Sequence, residues 1–127
     1  MRWIAIASMV TGACLTSANS SEPQPAMTAE DLQQLCAGED HVSKNACRIY
    51  ILGVTQGISV GLHIAAGKGR SAPPCVPQDI SAEALERTVK GKLSEDLKAT
   101  PANRGREAAG FIAAVLSTAF PCSKRSE

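Results

Sequence analysis

Cysteine is the residue type with the most chemistry to offer in this chain. Five occur: Cys14, Cys36, Cys47, Cys75 and Cys122. A thiol can attack as a nucleophile, hold a soft metal or close a disulfide. The spacing speaks against a metal: no C-x-x-C occurs, and His41 and His63 stand in unrelated contexts. Neither a metal nor a cofactor is expected. Cys14 lies in a leader-like segment, which leaves an even number downstream. In a small exported chain, Cys36, Cys47, Cys75 and Cys122 read as two disulfides. Three pairings are open to them. The favoured one joins Cys36 to Cys47, clipping a loop between neighbouring helices, and Cys75 to Cys122, tying the C-terminus to a mid-chain loop. Thiols committed in this way are unavailable as nucleophiles.

Other catalytic patterns are weak or missing. "GISVG" (57–61) matches G-x-S-x-G but lies within the second helix with no strand before it, where a nucleophile elbow cannot form, and the sequence has no H-E-x-x-H and no phosphate-binding glycine loop. "GKGRS" (67–71) shares only composition with the last of these, because the G-K-[ST] ending is missing. His63 sits on an apolar helix and reads as a partly buried structural residue or a dimer contact. His41 sits in a polar loop and reads as solvated. Enzymatic activity is therefore not expected.

The elements that must position these residues follow from length and patterning. The 127 residues suffice for one modest domain. Residues 1–18 have the layout of a secretory signal peptide: Arg2, the short apolar run "WIAIASMV", then small residues. Ala13 before Cys14 also suits a lipoprotein site, although Thr11 stands where leucine is usual, so lipidation at Cys14 is a lesser expectation. Residues 19–27 read as a linker, 28–122 as the domain and 123–127 as a tail. Beyond the leader the chain carries 12 basic and 12 acidic residues and three aromatics, Tyr50, Phe111 and Phe120. That balance gives no electrostatic pull toward nucleic acid, and so few rings make no base-stacking platform.

The periodicity predicts a small all-α, four-helix domain. Thr28 caps a first helix over 29–36, with Glu30 and Asp31 in its first turn. Ser43 caps a second, running to about Ala66 and stopped by Gly67, Gly69, Pro73 and Pro74. Ser81 caps a third to about Lys98, with Leu85, Val89, Leu93 and Leu97 as its apolar stripe. Its Glu83–Arg87 and Glu86–Lys90 pairs read as a solvated face. Thr100 caps a fourth, with Pro101 at its first position, running to about Phe120. No β-periodicity is evident.

Gly53, Gly57 and Gly61 recur every fourth residue inside the second helix, where each costs roughly 1 kcal/mol relative to alanine. The fourth helix carries small residues at the same interval: Gly110, Ala114 and Thr118. Two such ridges let helix axes approach closely, within one chain or between two. Both helices read as apolar on nearly every side, which points to a homodimer. A membrane span is not expected, because Gln56, Ser59 and His63 interrupt the apolar run and a span would leave one cysteine pair in a reducing compartment.

The order of "ACRIYILGVTQG", "CVPQDIS" and "ATPANRGREAAGFIAAVLSTAFPC" resembles the Tai family of type VI secretion amidase immunity proteins. The telling pieces are Cys47-x-x-Tyr50-x-x-Gly53, Cys75-Val76-Pro77, Pro101-x-x-Arg104 and Phe120-Pro121-Cys122. The stretch "GKGRSAPP" departs from the pattern in a region that varies widely across that family. The resemblance implies an all-helical periplasmic protein, commonly a homodimer. Such proteins bind a peptidoglycan-cleaving cysteine–histidine amidase and block it sterically, by a loop that enters the substrate groove. Stiff, protruding loops are the candidates for that role. One comprises Lys68, Arg70, Ser71, Pro73 and Pro74. The other runs from Thr100 to Arg106 and includes Asn103 and Arg104. The competing expectation is a general envelope or stress-chaperone-like protein, lipid-anchored if Cys14 is modified.

Overall fold

The computed structural model describes residues 24–66 and 73–122. They form four α-helices: α1 (Ala29–Ala37), α2 (His41–Ala66), α3 (Ala82–Ala99) and α4 (Ala108–Ala119), with a 3-10 turn, Pro101–Gly105, between the last two. The expected signal peptide with Cys14, part of the expected linker, residues 67–72 and the expected tail lie outside the described residues.

Each helix start has a local cause. Thr28 and Asp31 form a reciprocal capping box. The Asp31 amide donates to the Thr28 hydroxyl at 3.2 Å and the Thr28 amide to the Asp31 carboxylate at 2.9 Å. The Thr28 hydroxyl also donates to the Asp31 carboxylate at 2.7 Å, and this bond first, then the one from the Thr28 amide, holds the Asp31 carboxyl below the usual aspartate range. The start of α2 corrects the sequence reading. Asp40, not Ser43, supplies the cap: its carboxylate accepts from the Ser43 amide at 2.9 Å. Ser43 is already the third helical residue. Ser81 caps α3 as expected, accepting from the Ala84 amide at 3.1 Å.

The core is aliphatic. Leu85, Val89, Leu93 and Leu97 of α3 are all buried, and face Leu32 of α1, Ile51 of α2 and Ile112 and Leu116 of α4. The disulfide Cys36–Cys47 lies within this core, with a Cα–Cα separation of 5.0 Å. Cys75–Cys122 is at the surface end of α4, where Cys75 is exposed. This is the favoured pairing of the three. Arg48 fastens α2 to α3, with Nε 2.9 Å from Glu86 and a terminal nitrogen 2.9 Å from Glu83. Glu83 and Glu86 are thus more than a solvated face. Glu86 keeps its Lys90 partner at 3.7 Å, while Glu83 turns to Arg48 rather than Arg87.

Two further expectations change. The fourth helix does not run unbroken from Pro101. The chain straightens at Arg106 and Glu107 because it pairs there with the residues before α1. The Ala29 amide donates to the Arg106 carbonyl and the Ala108 amide to the Met27 carbonyl, both at 2.8 Å. They flank an isolated antiparallel bridge, Thr28 to Glu107, that hydrophobic periodicity could not show. The glycine ridge also behaves differently. A Cβ placed on Gly53, Gly57, Gly61 or Gly110 meets nothing within 4 Å. These residues face outward, so they do not join α2 to α4 within the chain, and neither helix is covered on all sides. His63, read as a partly buried structural residue or a dimer contact, is exposed in the single chain, and His41 is the exposed first residue of α2 rather than a loop residue.

Gly38 is the glycine that the fold does need. A Cβ there runs into the Ser43 side chain at the tight α1–α2 corner beside the Cys36–Cys47 bond. Gly38→Ala should therefore destabilise by about 1–3 kcal/mol. Gly91→Ala, at an open site in α3, should stabilise by up to about 1 kcal/mol. Urea midpoints of the two variants test the contrast. Burial also ranks the disulfides. Brief mild reduction and alkylation should label Cys75 and Cys122 well before Cys36 and Cys47, as read by peptide mass mapping.

Candidate partner-binding surface

The connection between α3 and α4 is short, exposed and heavily pinned. Thr100 ends α3 by donating its amide to the Asp96 carbonyl at 2.7 Å, and Pro101 then enters the 3-10 turn. Inside the turn the Asn103 amide donates to the Thr100 carbonyl at 2.9 Å and the Arg106 amide to the Asn103 carbonyl at 3.0 Å. Its side chains reach back to the bundle. The Asn103 amide group donates to the Asp96 carboxylate at 2.8 Å, and Arg104 meets Glu30 at 3.0 Å. Both members of the Arg104–Glu30 pair are nearly half exposed (45% and 44%), so it directs the loop more than it stabilises it. The backbone bonds at Ala29 and Ala108 fix the exit.

The result is a loop held from α3, from α1 and from the segment before α1. Pro101, Ala102, Arg104 and Arg106 stand exposed on it, with Asn103 half-buried underneath. Such a loop loses little conformational entropy when it docks. Beside it, between α3 and α4, lies an open groove of about 460 Å³. Phe111, Ala114 and Val115 form its floor, and Lys92, Glu95, Asp96 and Arg106 its rim. Lys92 and Glu95 pair across one turn at 2.8 Å. Tyr50 is half-buried, and burial first, then the nearby Glu107 charge, pushes its hydroxyl up.

Of the sequence candidates, Thr100, Asn103 and Arg104 fall together on this loop. Lys68, Arg70 and Ser71 lie outside the described residues. Pro73 is exposed and Pro74 buried, next to Cys75, whose amide donates to the Phe120 carbonyl at 2.8 Å. Of the pinning residues, the sequence marks Glu30 only as a first-turn acid and Arg106 only as a loop end, and Asp96 not at all. The spacing of Asp96 to Thr100 and Asn103 was the one available signal.

Fold and surface together define a disulfide-stapled helical module that presents a preorganised loop. Among the described residues, no His, Cys, Asp or Glu group has the makings of a metal site, and no helix is long and apolar enough to cross a membrane. The chain belongs to the Rap1a immunity proteins, whose family model matches residues 28–122. The match spans the whole helical domain, from the Thr28 cap to Cys122. It gives the immunity class that the motif resemblance implied, and with it a toxin partner and an inhibitory rather than enzymatic role. No curated protein and no solved structure matches the chain.

The loop's platform has a pH dependence of definite sign. Asp31 and Asp40 ionise more readily in the folded than in the unfolded chain, because caps stabilise their carboxylates. That contribution is complete above the unfolded pKa and is lost below about pH 4, as pH falls through the lowered folded value. Denaturation midpoints should fall over this range, and Asp31→Asn should flatten part of the fall.

Proposed function

We propose that the protein is a periplasmic immunity protein of a type VI secretion system, which binds and sterically blocks a peptidoglycan amidase. Residues 1–18 direct export, the two disulfides suit an oxidising compartment, and two copies act together. The observation that carries this reading is the Thr100–Arg106 loop, held rigid on a domain of the Rap1a immunity family. A cysteine–histidine amidase cuts a peptide lying in a groove. An inhibitor needs only a projection stiff enough to occupy that groove without being cleaved. The loop meets the requirement: Asn103 and Arg104 are tied to the bundle, and Pro101 fixes its entry. Thr100 and Arg104 then contact the groove walls, and the turn covers the catalytic cysteine. Lys68, Arg70, Ser71 and the exposed Pro73 form a second contact in this reading, with the buried Pro74 behind them.

Co-purification and titration against type VI amidases test it. The cognate enzyme should bind with nanomolar affinity and lose activity in proportion to occupancy. Asn103→Ala frees the loop from Asp96 and should weaken binding about tenfold, close to 1.4 kcal/mol. Ala102→Trp, at the exposed tip, should weaken it further at unchanged melting temperature. Unaltered inhibition by both variants would exclude the loop. Failure of every such amidase to bind would exclude the amidase as target.

A further inference from the structure

The open groove between α3 and α4 plays no part in a loop that only fills a cleft, yet the two adjoin. Arg106 closes the loop and also stands on the groove's rim. Phe111 and Val115 lie at the base, 4% and 8% exposed, while Ala114 and Ala119 beside them are small and exposed. A large side chain from outside therefore passes over the alanines and reaches both buried residues. The volume of about 460 Å³ accepts one with room around it.

The rim gives that visitor a sign. Lys92 and Glu95 neutralise each other at 2.8 Å. Asp96 is half-buried, and its carboxylate takes the Asn103 amide group at 2.8 Å. Arg106 is exposed, and among the described residues it makes no ion pair. The rim thus offers one open cation, set at the loop end of an apolar trough. A guanidinium in that position suits a planar carboxylate, which it can hold by two parallel hydrogen bonds.

We infer that the groove receives the lip of the partner's cleft, through a segment that carries a large apolar side chain next to a carboxylate. The apolar group covers Phe111 and Val115, and the carboxylate meets Arg106. Interface size supports this occupant. A stable complex buries roughly 800 Å² on each partner, and a loop this short supplies only a fraction of it. A cleft that takes in the Thr100–Arg106 loop brings its own edge down beside the loop, where the groove lies. The trough then forms an apolar centre, with Lys92, Glu95 and Arg106 as its polar margin. The inference rests on the proposed function and adds to it: the loop blocks the enzyme, and the groove holds it.

Titration of the co-purified amidase against variants of the protein tests this division. Ala114→Trp fills the trough and should weaken binding about tenfold or more, at an unchanged melting temperature because the site is exposed. Arg106→Ala should weaken it by a similar factor and Arg106→Lys by much less. Raised salt should weaken the native complex more than that of Arg106→Ala, because the lost ion pair is the screened one. At saturating concentration the groove variants should still inhibit fully. Arg87→Glu, a charge change on the opposite side of α3, should bind like the native chain. Native affinity in either Ala114→Trp or Arg106→Ala overturns the inference and leaves the loop reading intact. Equal weakening by Arg87→Glu overturns it too, since the charge effect would then be general. A change in the sedimentation of Ala114→Trp on its own would assign the groove to a second copy instead. If the native chain binds no amidase, both readings fall.

Discussion

The Cys36–Cys47 bond is the constraint on which the rest of the arrangement depends. It closes the α1–α2 corner inside the core, where Gly38 lets the two helices meet. After residue 18 the chain has only three aromatic side chains, so burial rests on leucine, isoleucine, valine and alanine. A domain of this size draws a marginal balance from such a core. In the chain-entropy account, closures 11 and 47 residues apart contribute about 3 and about 4 kcal/mol. Those sums rival the whole stability of an ordinary small domain. With the corner fixed, α2 has one direction in which to run. At 26 residues it outlasts the bundle that supports it.

The loop between α3 and α4 shows how the same economy serves binding. Nothing in its sequence is strongly stabilising, and the Arg104–Glu30 pair is exposed. The loop is shaped instead by where its neighbours end. Asp96 receives both the Thr100 amide and the Asn103 side chain, and the extended pair at Arg106 and Glu107 belongs as much to the start of α1 as to the loop. Damage to the α1 cap therefore reaches the loop through the backbone, without touching a loop residue.

The all-α class, the caps at Thr28 and Ser81, the α3 stripe and the disulfide partners were legible because each is local or counts by composition. What escaped was decided by tertiary contact. The break in the fourth helix has no sequence signal beyond Gly105, because its cause is a backbone pairing with residues 27–29, nearly eighty positions away. The orientation of Gly53, Gly57 and Gly61 was equally hidden. A four-residue interval shows that the glycines share a face, not whether that face turns inward. The site residues Thr100, Asn103 and Arg104 could be named from hydrogen-bonding character, but Glu30 and Asp96 act only through the fold. The amidase specificity carried by the motif resemblance is finer than the immunity class that the family match supplies.

The four described cysteines pair in reading order, first with second and third with fourth. A polypeptide oxidised while it emerges N-terminus first meets each correct thiol as the next one available. Cys36 finds Cys47 before Cys75 has appeared, and Cys75 is then left with Cys122 alone. Such connectivity requires no non-native crosslink to be undone, so a thiol oxidant suffices for maturation and an isomerase has no shuffling to perform.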